Sequence, residues 1–387
     1  MTYKFGFVVV MRMKKLTVQD INNYVGTTVN PLNSPDTIYE LYSVPSFDSD
    51  YPEVLHGSEI GSSKVTIEEN DVLVCKINPR INRVWIVKHH TKHQLIASSE
   101  WVIIRSPENN PRYLMYYFQS PTFRTYINSG LTGIGGSLTR AQPKQIAKYP
   151  VPLPSIELQD RIAATLDKLQ SIITHRKQQL KKLDELVKAR FVEMFGDTED
   201  IRTIAEICSI ITDGTHQPPK FVERGIPFLF VSNIVTNEIT YNAEKFISEE
   251  TYEELYKRTP IEIGDIVLST VGSYGHPAIV KTDRKFLFQR HIAYLKPIPS
   301  EINSIYLHSA ILSNDIQMQI KERVKGIAQK TLNLSEIRKI TIPVAPMLLQ
   351  EQFAAFVSQT DKSKVAVQKA LDEAQLLFDS LMQEYFG

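Results

Sequence analysis

Three histidines in five residues, HHTKH at 89–93, form the densest group of potential metal ligands in this 387-residue chain. A metal centre needs imidazole, thiolate or carboxylate donors converging on one point. Neither Cys nor carboxylate stands beside His89, His90 and His93, and strand-like runs flank them. The segment therefore reads as a solvated hairpin turn, and no metal is expected. GLTGIGGS at 130–137 has the glycine spacing of a phosphate loop. It lacks the Lys that a Walker A loop sets before its Ser or Thr, which leaves a polar loop. PDTIYELY at 35–42 opens like a nuclease motif but has no Lys after its carboxylate. Neither NPPY nor DPPY is present for amino-methylation, nor FxGxG for a methyl donor. Cys75 and Cys208 stand 133 residues apart without ligand spacing, as two reduced thiols of a cytosolic protein would. No catalytic residue is expected.

The residue types that remain suit another chemistry, holding phosphates and reading base edges. KINPRINRVWIVKHH at 76–90 carries Lys76, Arg80, Arg83 and Lys88, with Trp85 interleaved. Its cations can hold phosphates and its arginines can reach base edges, although a charged exterior strand would look the same. TDGTHQPP at 212–219 packs Thr215, His216 and Gln217 onto a turn locked by two prolines, with Lys220 next in line. STVGSYGH at 269–276 is a Gly-spaced turn presenting Ser273, Tyr274 and His276. GIAQKTLN at 326–333, with Gln329, Lys330 and Asn333, is matched in the first half by GGSLTRAQ at 135–142, with Arg140 and Gln142. None of these segments is specific alone; they are the polar surface from which any DNA contacts would be drawn. The net charge of +1 neither supports nor opposes them, because phosphate binding needs only a local basic surface.

What positions these segments is a duplication. EMFG at 193–196 returns as EYFG at 384–387, an offset of 191 residues. At the same offset Pro152 falls on Pro343, Gln159 on Gln350, and Ile146 on Ile337. With small gaps the echo reaches ENDVLV at 69–74 and IGDIVL at 263–268. A period this long exceeds any solenoid repeat and means two copies of a domain, each with a tail. The globular copies span roughly 14–150 and 198–345 and mix short β-type runs (VLVCKI, SEWVII, DIVLST, HIAYLK) with helical stretches. That reads as a mixed α/β (α+β) fold with a twisted sheet. Residues 1–13 have no counterpart; either translation begins at Met13 or they add an edge strand.

The tails read as long helices. Apolar residues recur at Ile162, Leu166, Leu169, Ile173, Leu180, Leu183 and Val187, and in the second tail at Phe353, Val357, Val367, Leu371, Phe378 and Leu381. Spacing that averages 3.5 over about five heptads is a coiled-coil seam on a rod of roughly 50 Å. Thr360 and Lys364 weaken the second seam. Residues 160–196 hold eight Lys/Arg and five Asp/Glu, net +3, whereas 351–387 hold three and six, net −3. Opposite charge favours pairing of the two helices with each other over self-pairing, as an antiparallel coiled coil.

A chain of this length accommodates two or three domains, and 42% apolar with 22% charged residues is the ordinary globular range. No apolar run approaches the roughly 20 residues of a membrane span. FGFVVVM at the N-terminus is short, is followed by Arg12, Lys14 and Lys15, and has no cleavage site, so it is not a secretory signal. A cytoplasmic location without membrane contact is expected.

Taken together, DGTH at 213–216, GIPFLFVSNI at 225–234, GDIVLSTVGSYGHPAIV at 264–280 and QKTLNLSEI at 329–337 resemble the specificity subunits of Type I restriction–modification systems. IPVAPMLLQEQ and PVPLPSIELQDRI, which lead into the two helices, carry the likeness over nearly the whole chain. The resemblance implies a first target recognition domain over 1–150, a Pro-rich linker and spacer helix over 151–196, a second recognition domain over 197–345 and a second spacer helix over 346–387. It also implies a non-catalytic reader of double-stranded DNA, taking one half of a split, asymmetric site per domain, with the paired helices setting the gap. The partners implied are two methyltransferase subunits and restriction/translocase subunits. S-adenosylmethionine, ATP and Mg2+ would belong to those partners, and this chain would hold no cofactor. The first copy departs from the family words, reading VGTTVNP at 25–31 where DGTH would stand. The competing reading is a tandem coiled-coil interaction scaffold that does not read DNA.

Overall fold

The computed structural model describes residues 15–129, 139–326 and 330–387, so residues 1–13, the GLTGIGGS segment and Gln329 lie outside the described residues. The chain divides into two compact units, one made of residues up to 175 with 371–387 and the other of 176–370.

The first unit runs through β1 (Lys15–Thr17), α1 (Val18–Ile21), β2 (Thr28–Val29), β3 (Ile38–Tyr42), β4 (Glu53–His56) and β5 (Lys64–Thr66). It continues with β6 (Val72–Cys75), β7 (Val84–Ile86), β8 (Gln94–Ala97), β9 (Trp101–Ile104), α2 (Pro111–Gln119) and α3 (Pro121–Ser129). It then passes through α4 (Pro143–Ala147) and β10 (Pro150–Pro152) into α5 (Ile156–Phe195). Its sheets are β1-β10, β7-β6-β9 and β2-β5-β8-β3-β4, with β3 and β8 parallel.

The second unit runs β11 (Ile201–Thr203), α6 (Ile204–Ile207), β12 (Cys208–Asp213), β13 (Phe221–Val222), β14 (Ile226–Leu229), β15 (Lys245–Ile247) and α7 (Glu249–Tyr256). There follow β16 (Ile266–Ser269), β17 (Pro277–Ile279), β18 (Leu287–Phe288), β19 (Ile292–Pro297), α8 (Ser304–Ile311) and α9 (Asn314–Arg323). It closes with α10 (Leu334–Ile337), β20 (Thr341–Pro343) and α11 (Met347–Phe386). Its sheets are β11-β20, β12-β19-β16-β17 and β13-β15-β14-β18, with β14 and β18 parallel.

The mixture of helix and strand is as expected, but each unit builds three small sheets in place of one twisted sheet. Among the described residues no strand exceeds six residues, and Pro, Gly or Asn turns interrupt many of the β-type runs. The copies differ where their sequences do. In the second unit β12 pairs along β19. In the first unit Asn22 stands there instead, its Nδ2 donating to Ile103 O at 2.9 Å while its Oδ1 accepts from Arg105 N.

The repeated words turn out to be hydrogen-bond locks. Gln159 Oε1 accepts from Asn110 N at 3.0 Å, and its Nε2 donates to Pro154 O at 3.0 Å. Gln350 repeats this, accepting from Asn303 N at 2.8 Å and donating to Ala345 O at 2.7 Å. Asn110 and Asn303 are the N-caps of α2 and α8. One turn later, Tyr113 and Tyr306 donate to Pro152 O and Pro343 O at 2.8 and 2.7 Å. In each unit, then, a buried glutamine and tyrosine tie a core helix to the head of a long helix.

The terminal words are packing anchors. Phe195, at the end of α5, stacks in the second unit against Tyr306 and Phe353 at 4.8 and 5.5 Å. Phe386, at the end of α11, packs in the first unit against Tyr113 and Tyr117 at 5.4 and 5.8 Å. Each copy's tail therefore ends on the other copy's core, and within each unit the helices run antiparallel. Along the seam Ile162, Leu166, Leu169, Ile173, Phe353 and Leu371 are buried, and Leu180, Leu183, Val187, Val357, Val367, Phe378 and Leu381 are half-buried. The weak positions are accommodated. The Thr360 hydroxyl donates to Phe356 O, and Lys364 Nζ lies 2.7 Å from Asp184 of α5. Burial pulls the Lys364 ammonium down, but the Asp184 and Asp361 carboxylates outweigh it and the net shift is upward.

No helix among the described residues is long and apolar enough to cross a membrane. Both thiols are buried, and burial raises each, Cys208 to about 12. At neutral pH that leaves Cys208 roughly a thousandfold less thiolate than an unperturbed thiol. Native protein is expected to take up no thiol reagent over hours and two equivalents once unfolded in urea. Rapid labelling of the native protein would contradict this placement.

Candidate nucleic-acid interface

In the second unit four segments are laced together by backbone bonds. Thr215 N donates to Phe288 O and Arg290 N to Thr215 O, at 3.1 and 3.0 Å. Thr270 N donates to His291 O at 2.9 Å, Leu332 N to Thr270 O at 2.8 Å, and Gly272 N to Lys330 O at 3.2 Å. Gly214 is required here, since a Cβ would lie 2.1 Å from Phe288 O. Between the segments lies a cleft of about 240 Å³ lined by Asp213, Thr270, Val271, Arg290, His291 and residues 331–334.

Asp213, the last residue of β12, accepts from Arg258 Nη2 at 2.6 Å and lies 3.0 Å from His216 Nε2. The DGTH carboxylate thus holds its own histidine and an arginine from just beyond α7. Burial, then the Arg290 charge, lower the His291 imidazole, so it is neutral at pH 7 and keeps an acceptor nitrogen. Gln217, Lys220, Ser273, Arg290, Lys330 and Asn333 are exposed, and Asn333 lines the cleft. Tyr274 is half-buried against the core, and His276 Nδ1 lies 3.1 Å from Asn237 Oδ1.

In the first unit β6 leads through Lys76 into a 3-10 turn at Pro79–Ile81 and back along β7. Arg80 is exposed and Lys76 half-buried. The Arg83 side chain is only 15% exposed and its Nε lies 3.9 Å from Asp48, so it does not present its whole fork. Arg140 pairs with Glu100 at 2.8 Å, and Gln142 holds the N-cap position of α4. Lys88 is exposed, with its backbone tied to the Tyr42 hydroxyl.

One open alternative is decided and one expectation is corrected. β7 is not a charged exterior strand: Trp85 is buried in the core, 4.4 Å from the Tyr42 ring, and the cations lie on the flanking loops. HHTKH is not a hairpin turn either, because β7 and β8 belong to different sheets. The buried Glu40 carboxylate secures that crossing by accepting from His90 N, Thr91 N and the Thr91 hydroxyl, at 3.0, 2.9 and 2.6 Å. Among the described residues no group of three His, Cys, Asp or Glu could hold a metal ion. Arg258, Arg290 and His291 escaped sequence reasoning. The only signal was the RH pair of LFQRH at 287–291, between strand-like runs.

Comparison with known proteins gives this geometry a family. The description "Type I restriction modification DNA specificity domain" matches twice, over residues 14–184 and 197–374. The Type I restriction enzyme EcoBI specificity subunit of Escherichia coli is 21% identical over 332 residues, covering 78% of this chain and 68% of the relative. The MjaVIII specificity subunit of Methanocaldococcus jannaschii is 19% identical over 343 residues, covering 81% and 79%. The fold is similar to a chain from a type I R-M system studied for complex assembly and conformational transition (TM-score 0.60, 16% identity, 96% and 97% covered). It is also similar to the Type I restriction-modification system S subunit from M. genitalium (TM-score 0.57, 15% identity, 100% and 99% covered). Matched twice along its length, by copies that share one hydrogen-bonded frame, the chain belongs to the Type I restriction modification DNA specificity domain family.

Proposed function

We propose that this chain is the DNA-reading, non-catalytic specificity subunit of a Type I restriction–modification complex. Each unit reads one half of a split, asymmetric site, and α5 with α11 set the gap. The observation that carries this reading is the pair of copies, alike in frame and different in their exposed loops. Base readout needs side chains held on a rigid support, and a diverged pair needs no palindrome. Arg80, Lys88, Lys220, Arg290 and Lys330 are exposed, and no ion pair holds them among the described residues. These are cations available to phosphates. Along the helices Val192, Val365 and Leu376 are left 63%, 70% and 73% exposed, individual apolar positions open to a protein partner. That partner is a methyltransferase subunit, in two copies, bringing S-adenosylmethionine. Restriction/translocase subunits would add ATP and Mg2+ chemistry.

The assembled chain and methyltransferase subunits should bind random duplex with log K falling against log salt, by roughly 0.9 per phosphate contact. The five available cations of this chain alone contribute a slope of roughly −4.5. Salt-independent binding, or none, would remove the DNA-reading role and leave the scaffold.

A further inference from the structure

We infer that the base identity read by the first copy is set at the tip of the β6–β7 loop, by Arg80 contacting a guanine and Ile81 a thymine methyl. This rests on the DNA-reading function proposed above. The second copy carries its counterpart in the β16–β17 loop.

The two loops have the same roots. In the first unit Asn78 N donates to Thr139 O and Ala141 N to Lys76 O, both at 2.9 Å, around the antiparallel bridge Ile77↔Arg140. In the second, Gly272 N donates to Lys330 O and Leu332 N to Thr270 O, around the bridge Val271↔Thr331. Residue for residue this is one clamp, fixing where each loop leaves its sheet. Beyond the clamp the copies share nothing: INPRIN stands in one and VGSYG in the other. Conserved roots with divergent tips are what two readers of different half-sites require.

The first tip is also preorganised. Asn78 and Asn82 take left-handed conformations, φ 48° and 54°, which Asn tolerates better than most residues. They bracket the Pro79–Ile81 turn, which is closed by Ile81 N to Asn78 O and Asn82 N to Pro79 O, both at 3.0 Å. A tip fixed before contact loses little entropy on binding. It offers an exposed arginine beside an isoleucine left 55% exposed, an arrangement that contributes little to the fold. In the major groove Arg forks onto guanine O6 and N7, and an apolar side chain meets the thymine methyl. The neighbouring arginines are less able, Arg83 being mostly covered and Arg140 paired with Glu100.

The test is genome-wide mapping of methylated adenines by the full complex, with the wild-type chain, Arg80→Ala, Ile81→Ala and the double variant. Arg80→Ala should lose roughly tenfold to a hundredfold discrimination at one position of one half-site, and Ile81→Ala should relax the preference at a neighbouring thymine by a smaller factor. The other half-site and the gap should stay as they were. An unchanged motif, or a uniform fall in methylation at every site without relaxation at any base, would overturn the inference. If the wild-type complex itself methylates no split motif, the DNA-reading function fails first and the loop assignment falls with it.

Discussion

Replacing Phe386 with alanine is expected to cost about 3–5 kcal/mol of the first unit's stability. Phe386 is 4% exposed, clustered with Met382 and Leu166, and edge-on to Tyr113 and Tyr117. Against a domain stability of about 5–15 kcal/mol, such a loss is large. Both tryptophans, Trp85 and Trp101, lie in the first unit's core, so their fluorescence reports that unit. Urea melts followed by fluorescence should show Phe386→Ala moving the midpoint further than Phe195→Ala, whose anchor lies in the second unit. A shift worth under about 1 kcal/mol for Phe386→Ala would mean that the tail does not dock as described.

Inserting one heptad into α5 and one into α11 at facing positions should move methylation to sites whose gap is about three base pairs longer. Seven residues add about 10 Å of helix, and adjacent base pairs are spaced about 3.4 Å. The seam is kept, because seven residues are within about 20° of two full turns. Three base pairs also turn the second half-site by roughly 100° about the duplex, so methylation at the new sites should be weaker than at the native ones. Both half-sites should keep their sequences. Methylation that keeps the native gap would show that something other than the helices sets it. Inserting four residues instead would rotate the seam and should destabilise both units.

The sequence revealed the architecture better than the site, for a physical reason. Gln159 and Gln350, and Phe195 and Phe386, each do one job twice, so duplication makes them visible as repeated words; the tyrosine pair Tyr113 and Tyr306 emerged only from the structure. The helix seams are visible because 3.5-residue spacing is local information. The cleft is not local, since it joins β12, the β16 end, the turn before β19 and the segment before α10. Arg258 reaches the Asp213 carboxylate at its edge from beyond α7, 45 residues away, and no spacing rule connects the two. HHTKH was misread for the same reason. Which face of β7 is buried, and which sheet β8 joins, are decided by the rest of the chain. Lys364, which looks like a flaw in a seam, becomes intelligible only once Asp184 is placed opposite it.

The most direct test of the central claim is to co-express the chain with a Type I methyltransferase subunit and sequence every methylated adenine in the host genome. One split, asymmetric motif with a fixed gap, methylated throughout the genome, is expected. A contiguous or palindromic motif, or a stable complex that methylates nothing, would contradict it.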